Sequence, residues 1–555
     1  MSGTKHNVFG IQTGIAICFL ERRKTKSDFV VNFIARPQDE TAEDKLSFLA
    51  NSSISDLTFE EIRPDARGSW LHQQHSGFEK LLAVSAMPGG RNKSSGYIFD
   101  LSSTGIMSGR DEWVYDFSTD LEAAKLEAFA AVFASIPKRF DPSKLPLAVK
   151  WSRNLKRKIG SVPAEEIARR DTRSAAFRPY VTKALSGPDY LIDEVGALNR
   201  TFAGPNLAIA FLSVASSQPV AALGIDKPFD YGLLKTGNGG TQALYRYRYT
   251  KSGERIDNIT DWALNRFVSQ YGKKGVTKDA IFHYVYAVLH DPIYRETYAL
   301  NLKREFPRIP FYPDFSQWAA WGEALMAMHI GYEDVTPWPV ERIETPGKRA
   351  EGTHPKPILK SQPEQGVVVV DADTQITGIP PEAWSYRLGN RSAIDWVLDQ
   401  HKEKKPRDPT IAAKFNTYRF ADYKESMIAL LAKVVRVSVD TLAITQQMAM
   451  VGHEDVRGST MDLSNPEVLR RIVTDIVTEI SESNDMEVND DAIEALIQPG
   501  DRYIEELRSV NLSNLRDALA AVLQEVPQTI PPSPVNYQAI IGAMSRSKCH
   551  YLWFC

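Results

Sequence analysis

Three prolines within seven residues, in Pro307-Arg308-Ile309-Pro310-Phe311-Tyr312-Pro313, force an extended connector between two stretches that are otherwise helical. Before it, Thr277 is a good N-cap and Asp279 places a carboxylate where the helix dipole favours one. Ile281, Val285, Val288 and Leu289 then share one helical face. Pro292 cannot continue that helix, so the chain is expected to turn at His290–Asp291 and to form a second helix from Ile293 to Phe306. A third helix is expected from about Phe315 to near Gly331. The whole stretch Asp257–Trp338 is aromatic and carries no catalytic motif. It reads as a scaffold that positions something else.

The 555 residues are enough for two to four domains, and apolar and charged contents of 43% and 24% are ordinary for a soluble globular chain. The net charge is −3, so any nucleic-acid surface has to be a local patch. Three cysteines, Cys18, Cys549 and Cys555, are too few for a disulfide framework or a closed zinc site, which suits a reducing compartment. The first residues lack the basic and apolar regions of a secretory signal, and the apolar run Phe9–Leu20 is too short to span a bilayer. The expectation is a cytoplasmic protein with no membrane partner.

Residues 7–36 read as a strand pair joined by the basic turn 22–27. A strand pair without a sheet is marginal in water, so it should pack on something larger. Leu121–Ile136 reads as an alanine-rich helix closed by Pro137. Residues 205–256 look β-rich, and Gly366–Asp371, with four valines, suggests a buried strand. Residues 341–366, rich in Pro, Gly, Lys and Glu, read as a linker. Residues 449–555 read as a helical tail interrupted by Pro531-Pro532-Ser533-Pro534.

Charge patterning supplies the candidate contacts. The run 150–158, KWSRNLKRK, contains Lys150, Arg153, Lys156, Arg157 and Lys158 and no acid. A run of charge is usually a solvated face, but one with no acid at i,i+4 cannot neutralise itself locally and suits phosphates. Arg178, Tyr180 and Lys183 in FRPYVTK form a second candidate loop. In Tyr245-Arg246-Tyr247-Arg248-Tyr249 a strand would put the tyrosines on one face and Arg246 and Arg248 on the other, either as exposed charges or as contacts to phosphates and guanine edges. Arg387, Asn390 and Arg391 precede a helix at Ala393–Gln400; Asn390 could read adenine, or Asn390 or Ser392 could simply cap the helix. Lys404, Lys405 and Arg407 belong to a second basic run, 402–407. Arg110 and Asp111 are either a surface pair or part of a DNA-facing loop.

An ordered set of motifs carries a resemblance. Gly10-Ile11-Gln12-Thr13-Gly14, Arg110-Asp111-Glu112-Trp113-Val114-Tyr115 and Lys150-Trp151-Ser152-Arg153 come first. Phe282-His283-Tyr284-Val285-Tyr286-Ala287-Val288-Leu289-His290, Pro292-Ile293-Tyr294-Arg295, Pro307-Arg308-Ile309-Pro310 and Tyr386-Arg387-Leu388-Gly389-Asn390-Arg391-Ser392 follow. Together they span roughly residues 6–448. The set resembles the C-terminal specificity region of type ISP restriction–modification enzymes, single chains that join a nuclease, a translocating ATPase, an adenine-N6 DNA methyltransferase and a target-recognition domain.

That resemblance implies a mixed α+β chain in which residues 1–62 are the last hairpin of a methyltransferase sheet. Residues 63–448 would be a multi-helix target-recognition domain with β elements, and 449–555 a helical tail of unassigned role. It implies sequence-specific recognition of double-stranded DNA, with S-adenosylmethionine and ATP needed by the complete enzyme and a methyltransferase or translocase polypeptide as partner. Neither the family's glycine-rich S-adenosylmethionine motif nor its Asn-Pro-Pro-Tyr motif occurs here, nor does a Walker A pattern, so no cofactor or catalytic residue is expected in this chain. Two other readings compete: an intact enzyme of unfamiliar design, and a helical interaction protein or decayed fragment without a DNA role.

Overall fold

The computed structural model describes residues 18–19, 31–34, 42–54, 57, 59–62, 77–86, 96–212, 219–234, 240–350 and 352–451. The chain divides into two units, Met1–His75 and Ser76–Cys555. In the first, Val31–Phe33 pairs antiparallel with Glu60–Ile62, and Ala42–Asn51 forms a helix. The other strand of the expected hairpin lies outside the described residues, as does the tail from residue 452.

In the second unit helices alternate with sheets whose described strands all pair antiparallel, which makes the class α+β. One four-stranded sheet has the order Ser102–Thr104, Thr241–Tyr245, Ala208–Leu212, Ala222–Ile225. Its central strands Ala208–Leu212 and Thr241–Tyr245 are buried at every position, which suits the wholly apolar sequence of the first; the second buries Thr241 and Gln242 as well. A three-stranded sheet joins Tyr115–Asp116, Val181–Ser186 and Thr172–Arg178. A second four-stranded sheet runs Glu341–Glu344, Thr374–Thr377, Val367–Asp371, Pro357–Gln362. Two of its strands lie in the segment read as a linker. Both are edge strands, and all four residues of Glu341–Glu344 are exposed, so polar composition hid a strand. Val368 and Val370 on the inner Val367–Asp371 are fully buried.

The proline-bounded scaffold forms around two helices. Lys278–Val288 is capped by Thr277, whose hydroxyl accepts from Ala280 N at 3.1 Å, and Phe315–Ile330 is capped by Asp314. They cross at Gly322, where a Cβ would stand 1.8 Å from the His283 carbonyl oxygen. The expected single helix 293–306 is two short ones, Pro292–Thr297 and Ala299–Leu302, with Pro292 at the first position and Asp291 accepting from Ile293 N and Tyr294 N. A further helix, Asp261–Tyr271, precedes them under a Thr260 cap.

A 31-residue helix, Phe420–Met450, ties this scaffold to the second four-stranded sheet. The link is polar. Thr441 donates its hydroxyl to Val437 O at 2.7 Å and so receives the His329 Nε2 proton at 2.8 Å. The other ring nitrogen, Nδ1, then accepts from the Tyr286 hydroxyl at 2.5 Å, and Gly224 N donates to that same tyrosine oxygen at 2.6 Å. Burial, with Arg295 adding repulsion, pushes the His329 imidazolium down to about 3, so the ring is neutral in this chain of bonds.

Candidate nucleic-acid interface

The first basic run folds as a coil followed by the helix Arg153–Lys158. Ser152 caps it, accepting from Leu155 N at 3.1 Å. Leu155 and Ile159 are buried in a cluster with Trp113, Phe129, Val149 and Ile411 and hold the helix against the body. Lys150, Arg153 and Arg157 are exposed and Lys156 half-exposed; among the described residues none of these side chains is held by a hydrogen bond or ion pair. Lys158 is different. Its ammonium donates to the carbonyls of Asp189 and Tyr190 at 3.3 Å and to that of Ile192, and burial, with Arg110 nearby, lowers its pKa. It is a brace and leaves the contact surface.

Arg110 is the second brace. It is neither a surface charge nor part of an exposed loop, since its side chain is 1% exposed. It donates to Ser108 O at 3.0 Å, to Leu191 O, to the Ser152 hydroxyl at 2.8 Å and to Asp193 at 2.7 Å. The guanidinium therefore fixes the N-cap of the basic helix.

The second basic run, more than 240 residues later in the chain, lands beside the first. Glu112 accepts from Arg407 N at 2.9 Å and Asp408 N at 2.8 Å, and the Trp113 indole donates to Asp408 at 2.8 Å. Thr410 donates its hydroxyl to Ala148 O at 2.7 Å. The carboxylates at this joint are thus turned inward: Glu112 onto backbone amides, Asp193 onto Arg110 and Ser152, Asp408 onto Trp113 and the N-terminus of the helix Pro409–Lys414. Lys402, Lys405 and Arg407 are exposed with no side-chain partner among the described residues, while Lys404 pairs with Asp399 at 3.1 Å. The two joined runs thus present Lys150, Arg153, Arg157, Lys402, Lys405 and Arg407 as exposed cations without a side-chain partner among the described residues, and the one acid within them, the exposed Glu403, accepts from Phe420 N at 2.8 Å. Lys402 also lines an open groove of ≈ 440 Å³ with Lys360 and Arg391, the latter paired to Asp399 at 3.0 Å.

The other sequence candidates go elsewhere. Tyr180 sits in the interior at 3% exposure, in a left-handed turn (φ 59°), its hydroxyl 3.0 Å from that of Tyr386. Arg178 stacks on Phe177 and pairs with Asp230 at 2.7 Å. Lys183 lies over the rings of Phe117 and Phe177 at 4.5 and 4.3 Å, and burial pulls its pKa down to about 8. The expected tyrosine–arginine alternation breaks at Arg246, which is 4% exposed and pairs with Asp257 and Asp279 at 2.5 Å each. Neither Tyr180 nor Arg246 has surface to offer a phosphate. Arg248 pairs with Asp100 at 2.9 Å. Arg387 and Asn390 are exposed on a hairpin, Arg387–Leu388 with Arg391–Ser392, that turns through Gly389 at φ 73°. Ser392, not Asn390, caps the following helix, accepting from Asp395 N at 3.0 Å. Sequence reasoning missed Glu112 and Thr410, whose partners are visible only once the chain is folded.

With this geometry in place, comparison with known proteins decides the family. The model for the "Type ISP C-terminal specificity domain" matches residues 97–430, more than half of the chain. The chain belongs to that family. Solved structures agree. A cryo-EM structure of a DrdV–DNA complex superposes with TM-score 0.67 at 38% identity, covering 76% of this chain and 43% of that one. A nuclease-deletion mutant of the Type ISP restriction–modification enzyme LlaGI, in complex with a DNA substrate mimic, gives 0.55 at 22% identity, covering 76% and 39%. The ATP-dependent Type ISP enzyme LlaBIII, bound to DNA, gives 0.56 at 20%, covering 71% and 25%. These two share the fold. The specificity-domain chain thus spans less than half the length of these relatives. No curated protein matches it. Among the described residues no helix is long and apolar enough to cross a membrane.

Proposed function

We propose that this chain is the DNA-reading part of a type ISP restriction–modification system, holding duplex DNA so that an adenine-N6 methyltransferase can act on its target base. The supporting observation is that Glu112 and Thr410 join the two basic runs, whose exposed cations have no partner, while Glu112, Asp193 and Asp408 are engaged by donors within the joint. Such runs meet phosphates and fix register, while base edges are read by side chains presented beside them. The groove at Lys360, Arg391 and Lys402 and the exposed hairpin at Arg387 and Asn390 are the nearest candidates for that reading. S-adenosylmethionine and ATP would be held by other stretches of polypeptide, since the motifs for both are missing from these residues. With such a role the protein would work in the cytoplasm, beside the DNA it reads.

The test is selection from a pool of randomised duplexes by the purified chain, followed by sequencing of the bound fraction. Enrichment of one short site supports the reading. A chain that retains no duplex even at low salt refutes it.

A further inference from the structure

Leu147 is 96% exposed, more than any other large apolar side chain among the described residues. A single exposed leucine needs no explanation by itself. This one is held out rigidly. Leu145 and Val149 on either side are buried at 9% and 3% in the cluster that also anchors the basic helix. The carbonyl before it, on Pro146, accepts from the Trp151 indole at 2.8 Å, and Trp151 stacks on Phe133. The carbonyl after it, on Ala148, accepts from Thr410 at 2.7 Å. Pro146 fixes its own φ as well. The leucine therefore stands on a clamped pedestal, and the clamp is the same bond that joins the two basic runs. Lys150 and Arg153 follow it within six residues of the chain, and Arg407 lies three residues before the Thr410 that bonds Ala148; all three are exposed with no side-chain partner among the described residues.

We infer that Leu147 is an apolar wedge that enters the base stack of bound duplex DNA while the cations of the joined runs hold the flanking phosphates. The inference rests on the proposed DNA-reading role and adds the residue that leaves the protein surface to meet the bases. The charge of the two runs that this joint brings together selects the occupant: an apolar side chain at the junction of unpaired cations is complementary to a polyanion with an apolar interior. Proteins that insert leucine or similar side chains between base pairs unstack the step and kink the duplex, most easily at pyrimidine–purine steps.

The probe is a duplex of alternating thymine and adenine with 2-aminopurine replacing some adenines, whose fluorescence rises on unstacking. The full chain should bind it with a fluorescence rise. Leu147→Ala should weaken binding by about tenfold or more, the loss expected for one leucine left unburied, and abolish the rise. The salt dependence should stay that of the parent, since no charge has changed. Because the side chain is already in water, the variant should unfold at the parent's temperature, which separates a missing wedge from a damaged fold. Parent affinity in Leu147→Ala overturns the wedge and leaves the DNA-reading role standing. Weaker binding with the fluorescence rise intact also overturns it, as does an effect confined to association with a methyltransferase polypeptide. Failure of the unaltered chain to bind this or any other duplex, even at low salt, would overturn both.

Discussion

Glu122 offers a test of the packing that supports the interface. The residue lies on the helix Thr119–Ala134, fully buried against Val181–Ser186. One carboxyl oxygen accepts from the Ser186 hydroxyl and the other has no partner. Burial pushes its pKa up to about 7, with Ser186 and Lys125 acting against the rise. The unfolded chain would titrate it near 4.5. Between those values the folded state binds more protons than the unfolded one, so stability is highest below pH 4.5 and is lost as pH rises to 7. At 1.36 kcal/mol per pH unit the loss comes to about 3 kcal/mol. Glu122→Gln copies the protonated form: its amide oxygen can take the Ser186 hydrogen bond and no charge is ever buried. The variant should match the parent at about pH 4 and exceed it by up to about 3 kcal/mol at about pH 8. Urea unfolding across that range, followed by tryptophan fluorescence, measures the difference. Taking the difference cancels contributions from Asp230, raised to about 6, and from the buried histidines. A variant no more stable than the parent at the alkaline end, or a difference independent of pH, would refute the reasoning.

Other consequences follow from single side chains. Arg110→Ala strands Asp193 and two carbonyls and should cost about 3–5 kcal/mol, read as a lower urea midpoint, with Arg110→Lys failing to restore it because one ammonium cannot span the fork. Gly322→Ala puts a methyl into the His283 backbone and should lower stability by about 1–3 kcal/mol or more, seen as a fall in Tm.

Local chemistry made the scaffold legible. Thr277 caps a helix as its side chain suggested, and so does Ser392, one of the two caps the sequence offered there; Asp291, read only as part of a turn, caps a helix that Pro292 opens. Edge strands defeated the same reasoning. Glu341–Glu344 bears only exposed residues, so nothing in its composition separates a strand from a loop. Arg246 shows the limit of alternation: Asp257 and Asp279 neutralise it, letting it turn inside where a strand pattern would have put it in solvent. Tyr180 takes a left-handed turn that sequence would assign to glycine or asparagine. The basic runs were readable as runs, but their junction was not. It depends on Glu112 and Thr410 reaching residues about 300 and 260 positions away, which no local pattern encodes.

The central claim is that the joined cationic face holds phosphates. The direct measurement is the salt dependence of duplex binding for the full chain and for a variant with Lys150, Arg153, Lys156 and Arg157 all changed to Gln, each checked for an unchanged unfolding profile. The slope of log affinity against log salt should shrink by about 0.9 for each phosphate no longer neutralised, so by about 3–4 for the set. Lys158→Gln should leave the slope alone and lower stability, because its ammonium serves carbonyl groups. An unchanged slope in the fourfold variant would show that this face is merely solvated and that DNA, if bound, lies elsewhere.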